Sequence, residues 1–297
     1  MSAVALPARA AHRVSPRRLL RRRSASIVMV SLTCIAAAIA VVPLLVILAY
    51  LLKQGAGTLS LDFFTRMPAP VGESGGGMAN AIVGTLMLIG IASLVGLPVG
   101  IGAGLFLAEQ QGTKLADVVR FLADVLNGLP SIVMGIFAWQ FLVRPIGHFS
   151  ALAGGAAIGA MMIPLVSRTT EEMVRTVPRS LREAALALGY PRWRTSLQIV
   201  LRTALGGIVT GVLVAVARVA GETAPLLFTA FGNQFWSTDP TQPIAALPLQ
   251  IFTYAISPYD EWHAQAWAGA VVLITLVLLI SLVARLATRS HHGGGHD

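Results

Sequence analysis

Charge is what this sequence has least of. Only 12% of its 297 residues are Asp, Glu, Lys or Arg, whereas a soluble domain carries about a quarter. So little charge excludes an ordinary water-soluble domain. Cysteine is nearly absent as well. Cys34 stands alone, which rules out an internal disulfide framework, and it reads as a small buried apolar residue. A glycine-rich phosphate loop is missing too. Gly75, Gly76 and Gly77 are followed by no Lys-Ser or Lys-Thr pair and read as a flexible outer turn, so this chain is not expected to bind a nucleotide through such a loop. The apolar tracts hold no paired catalytic residues and no His/Asp/Glu metal cluster, which counts against an intramembrane enzyme. His291, His292 and His296 belong to a closing His/Gly tail, 291–297, that reads as disordered rather than metal-binding. His148 and His263 are isolated.

What fills the space is apolar: 55% of the residues are hydrophobic. Six runs, near 27–52, 79–107, 118–143, 149–166, 204–232 and 266–286, approach or exceed the ~20 residues that cross a bilayer as a helix. The first is too long for the roughly 7–15-residue core of a cleaved signal and reads as a retained anchor. The fold class is therefore an all-α polytopic membrane protein with six transmembrane helices. An Arg-rich tail, 1–26, precedes a six-span domain, 27–290. That tail carries seven arginines and no acid. With it inside, the loops 108–117 and 167–203 and the C terminus are inside as well. These segments and the inner helix ends hold 18 of the 22 basic residues, and the outer loops hold only Lys53, Arg66 and Arg144. The bias puts both termini in the cytoplasm. Nucleic-acid binding by the tail is the weaker reading, because its arginines abut a membrane span.

The remaining basic residue is Arg218, inside the fifth run, with Glu222 four residues on. A charge near the middle of a membrane helix costs roughly 2.5–3.5 kcal/mol on insertion scales. On one continuous helix, positions four apart share a face, so the expectation is an Arg218–Glu222 pair. Such a pair serves either bundle packing or an ion path, and intramembrane charges favour the path. Pro225 follows and is expected to kink the helix.

The loop 167–203 holds the other signal. Ser180 and Glu183 have capping-box spacing, Gly189 suits a helix C′ position and Pro191 blocks continuation. A helix over 181–188, roughly 12 Å long, is expected, with Leu181, Ala184, Ala185 and Leu188 on one stripe. A second helix is expected to start near Pro191 and run into the fifth span. The short helix either lies on lipid headgroups or docks into a groove of a cytoplasmic partner.

Glu183-Ala184-Ala185, Gly189, Ile199 and Leu201 resemble the EAA loop of ABC-importer permeases, with Arg202 in place of the motif's closing proline. The stretches "LNGLPSIVMGIFAW", "ARVAGETAPLLFTA" and "NQFWSTDPTQPIAALPLQIFTYAISP" are similar to the phosphate importers, and most to the PstA-type permease family, over about 79–286. The resemblance implies six spans and a heterodimer with a PstC-type permease subunit. It also implies two PstB-type ATPase subunits and an external PstS-type phosphate-binding protein. It makes the loop helix, with Glu183, Ala184, Ala185 and Gly189, a coupling helix that sits in the ATPase. ATP and Mg would be bound by that partner, with no cofactor in this chain. It carries transport roles onto Arg218 and Glu222, and onto Arg168, whose position also suits ordinary inner-end flanking.

The chemistry suits phosphate. Arginine binds oxyanions bidentately and stays charged when buried, and a neighbouring Glu222 would keep Arg218 from holding the anion too tightly. The outer loop 233–264 has Asp239, Asp260 and Glu261 but no Lys or Arg, so it does not attract phosphate from bulk. Delivery by a docked protein fits it better. Trp236, Trp262 and Trp267 flank that loop and suit interface anchoring equally well. A permease for another oxyanion, molybdate or sulfate, is the second reading. An autonomous anion channel or secondary transporter is the third, and the EAA loop argues against it. The expected location is the bacterial inner membrane, in contact with lipid and with no nucleic-acid partner.

Overall fold

The computed structural model describes residues 16–71, 73 and 75–289. Among them every regular element is helical, apart from two isolated backbone bridges, Pro68 with Gly76 and Phe231 with Ile244. Packing divides the chain after Tyr50. Among the described residues the first unit is one helix, α1 (Pro16–Gly55), whose last five residues belong to the second unit. It begins well ahead of the expected run, so Arg17 to Arg23 form its first turns; Leu and Arg are good helix formers and no breaker intervenes. The rest of the Arg-rich tail and the His/Gly tail lie outside the described residues.

The second unit holds the remaining helices. α2 (Leu61–Thr65) is capped by the Ser60 hydroxyl, which accepts from the Phe63 N–H. α3 (Ala79–Glu109) is the second span. The third run is not one straight helix. α4 (Lys114–Gly128) and the segment Ser131–Ile146 meet at a bend of 105°. That segment comprises α5 (Ser131–Ala138), a π-helical turn at Trp139–Val143, and α6 (Arg144–Ile146). Pro130 explains the bend: it has no N–H to continue the ladder and holds Leu129 extended, at φ −72° and ψ 136°. α7 (Ala151–Thr176) is the fourth span and runs ten residues past the end of its apolar run. α8 (Arg179–Ala187) follows in the loop. α9 (Arg192–Arg194), a π-helical stretch Thr195–Val200 and α10 (Leu201–Ala220) form one continuous path into the fifth span. α11 (Ala224–Thr229), α12 (Leu247–Ala255) and α13 (Asp260–Arg289) complete the chain. Among the described residues five helices are long and apolar enough to cross a membrane, or six if the bent pair is one span.

α7 is the most buried of these apolar helices. Between membrane helices the hydrophobic effect gives little, and close backbone approach supplies the attraction. On one face α7 meets α3. A Cβ at Gly96 would stand 2.8 Å from the Gly159 carbonyl, and one at Gly104 would stand 2.5 Å from the Ser167 carbonyl. On the other face it meets α10, where Thr169 and Met173 fill the space left by Gly211 and Gly207. Leu88, Ala92, Ile158, Met162, Val216 and Val219 join the three helices in one core. A second apolar cluster, made by Ala108, Val174, Val177, Val200 and Ala204 among others, joins the C-terminal ends of α3 and α7 to the start of α10.

Candidate functional site

The fifth run breaks where its charges sit. α10 stops at Ala220, where the Gly221 N–H donates to the Arg218 carbonyl and the Glu222 N–H donates to the Val219 carbonyl. The break has a local cause. In a continuous helix the Pro225 ring would strike the carbonyl of residue 221, four positions earlier. The chain restarts as α11 with Pro225 in its first turn, where a missing N–H costs nothing. Arg218 therefore lies in the last turn of one helix and Glu222 in the linker to the next.

The expected Arg218–Glu222 pair does not form. The i, i+4 geometry it needs ends at Ala220. Among the described residues no carboxylate comes within ion-pair distance of Arg218. Arg218 is exposed and Glu222 is half-buried. The C-terminal end of α10 favours a cation there, because its unpaired carbonyls carry partial negative charge.

Beyond α11 the chain turns sharply. Phe231 (φ 63°) and Gly232 (φ 88°) are both left-handed, and the Phe231 ring stacks on Phe149 at 4.6 Å. The following loop is bound into the bundle through its backbone. Asn80 Nδ2 donates to the Asn233 carbonyl at 2.9 Å, and the Leu247 N–H donates to the buried Thr85 hydroxyl at 2.8 Å. The N–H groups of Ser150, Ala151 and Leu152, at the start of α7, donate to Thr229, Gln242 and Pro240. A cavity of about 230 Å³ opens here, lined by Leu227, Phe231, Asn233, Gln250, Thr253 and Tyr254 among others. None of this was readable from residue spacing, since these bonds join segments far apart in the chain. At the loop's exposed turn, the Thr241 hydroxyl and N–H both bond Asp239 and hold its carboxyl below the usual carboxylate range.

Arg168 lies on α7 and pairs with Glu172 one turn on, at 3.0 Å, with both side chains about half exposed. The buried carboxylate is its neighbour. The Glu171 side chain is 1% exposed, and its Oε1 accepts from Arg120 Nη2 at 2.9 Å and from Arg175. Arg120 also bonds Asp117 at 3.0 Å. This cluster ties α4 to α7, so the lower half of the bent pair is held against the central span. Glu171 was missed. Glu171 and Glu172 differ by 100° around the helix, and only packing decides which of the two faces inward.

α8 is the expected loop helix, with a different start. It begins at Arg179 after Pro178, and no side chain caps it. Ser180 is already helical, so the Ser180–Glu183 capping box is not made. Its end is as expected. Gly189 is left-handed at φ 83°, its N–H donates to Leu186, and the Tyr190 N–H donates to Ala185, which is the Schellman pattern. Ala185 is buried, whereas Leu181, Glu183, Ala184 and Leu188 are exposed. The helix thus offers an apolar face with one acid beside it. Arg202, in place of the motif's proline, leaves the helix into span five unbroken, and the irregularity there is the preceding π-helical stretch.

Residues 100–291 match the family described as "Binding-protein-dependent transport system inner membrane component". The chain belongs to this family. It is 51% identical over 235 residues to the phosphate transport system permease protein PstA of Yersinia pestis, covering 78% of this chain and 79% of that one. It is 47% identical over 267 residues to the protein of that name from Xylella fastidiosa, covering 89% and 93%. Among solved structures, it superposes on a chain of a bacterial ABC transporter that imports the acidic polysaccharide alginate. The TM-score is 0.63 at 16% identity, covering 92% of this chain and 98% of that chain. A chain of the inward-facing MetNI methionine ABC transporter gives a TM-score of 0.60 at 18% identity, covering 72% and 96%. These structural likenesses concern the fold.

Proposed function

We propose that this chain is the PstA-type permease subunit of an ATP-driven importer that carries inorganic phosphate across the bacterial inner membrane. It is a transport subunit and not an enzyme. The observation that carries the reading is the break in span five. A discontinuous membrane helix is where transporters build substrate sites, and here it presents Arg218, exposed and without a carboxylate partner among the described residues, beside the half-buried Glu222. The high identity to permeases named for phosphate supports that anion. Arg218 would receive phosphate through charge-assisted bonds, with Glu222 and Arg168 along the same path.

The exposed face of α8, with Glu183, Ala184 and Gly189, suits docking by an ATPase subunit of the PstB type. Two copies are expected, one on this chain and one on a PstC-type permease partner, and they would bind the ATP and Mg. An external PstS-type protein would deliver phosphate to the outer loop. Both termini would face the cytoplasm. Arg218→Gln tests the reading. With permease abundance normal, phosphate uptake falls by about ten-fold or more, equivalent to about 1.4 kcal/mol of lost pathway stabilisation. Uptake unchanged in that variant would remove Arg218 from the path.

A further inference from the structure

One carboxylate stands where electrostatics disfavours it. Glu109 is the last residue of α3, at the end of a helix whose unpaired carbonyls already carry partial negative charge. Its partner comes from another element. Arg182, on α8, places Nη1 on Glu109. The same guanidinium directs Nη2 toward the carbonyl of Val174, at 3.4 Å, in the last turns of α7. One side chain of the loop helix therefore holds the inner ends of two spans, and both ends attract a cation for the same reason. The two spans meet through glycines of both helices, Gly96 and Gly104 on one and Gly155 and Gly159 on the other. The Arg182 and Glu109 side chains are 23% and 30% exposed, so water weakens the pair only in part. A cavity of about 480 Å³ lies beside them, lined by Glu109, Arg175, Arg182 and Glu183 among others, which leaves α8 room to shift.

Resting on the ATP-driven reading above, we infer that Arg182 is the strut through which α8 moves the inner ends of spans two and four. Leu181, Ala184 and Leu188 face outward, toward what docks. Arg182 faces the bundle and carries displacement into α3 and α7. It is a positioning residue and touches neither substrate nor nucleotide. A fork is needed for this, since a lysine would reach one partner at a time.

The test uses the whole reconstituted complex and measures phosphate taken up per ATP hydrolysed, with the amount of co-purifying ATPase subunit. In Arg182→Gln the ATPase subunit co-purifies as in the wild type and ATP hydrolysis continues. Uptake per ATP falls by about five-fold or more. The exchanged double variant Glu109→Arg/Arg182→Glu rebuilds the ion pair between α3 and α8 but not the bond to the Val174 carbonyl, to which a carboxylate cannot donate, and so recovers only part of the lost ratio. A wild-type ratio in Arg182→Gln would overturn the proposal. Loss of the ATPase from Arg182→Gln would also overturn it, by making Arg182 a docking residue, as would an exchanged variant no better than Arg182→Gln. A wild-type complex that moves no phosphate would instead overturn the reading on which this rests, and it is measured first.

Discussion

Arg218 and Glu222 are four residues apart and unpaired, and the reason is a third residue. Pro225 forbids a helical carbonyl contact at residue 221, the helix ends at Ala220, and the two charges fall on separate segments. This changes what a double substitution should do. If Glu222 served only to neutralise Arg218 in packing, Arg218→Gln/Glu222→Gln would restore transport. With no pair to balance, the double variant should remain as inactive as Arg218→Gln in a phosphate-uptake assay normalised to permease abundance. Recovery to the wild-type rate would return both residues to a structural role. The proline rule and the residues themselves were legible in the sequence, yet the i, i+4 pairing was the wrong inference from them. The helical period holds only while the helix does. Glu171 was illegible for a different reason: its burial depends on Arg120 arriving from α4 and Arg175 from the next turn.

Between elements, α5 packs against the start of α11. A Cβ on Gly135 would stand 2.8 Å from the Pro225 Cα, so any side chain there pushes on the start of α11. Overpacking of this kind costs about 1–3 kcal/mol. Gly135→Ala should therefore lower phosphate uptake by about ten-fold, by shifting α11 relative to Arg218, with the protein still inserted. Gly90→Ala is the matched control. A Cβ there meets nothing within 4 Å, and uptake should match the wild type. Equal uptake in both variants would mean that α5 does not set the geometry of the break. The spans and the loop helix could be read in advance because apolar length and the Gly189 stop are local signals. The bend has a local cause in Pro130, but its 105° angle and the packing of α5 on α11 are tertiary, and no local pattern carries those.

On the scale of the whole molecule, the charge bias predicts an orientation and the packing predicts a machine. Reporters fused after Gly76 or Asp239 should be found outside, and those after Gly112 or Ser180 inside. A cytoplasmic reporter at Asp239 would break the six-span arrangement and move Arg218 off the path. Family membership and the exposed face of α8 together make this chain one part of an assembly. Alone it should transport nothing. The central claim is that cytoplasmic ATP drives phosphate through this chain and its permease partner. The most direct measurement is labelled phosphate uptake into proteoliposomes holding the complete complex, with and without ATP on the ATPase side. Sulfate or molybdate is added in excess as a competitor. Uptake should require both ATP and the ATPase subunit, and should be insensitive to either competitor. Phosphate uptake that persists without the ATPase subunit, or that sulfate or molybdate abolishes, would contradict the account.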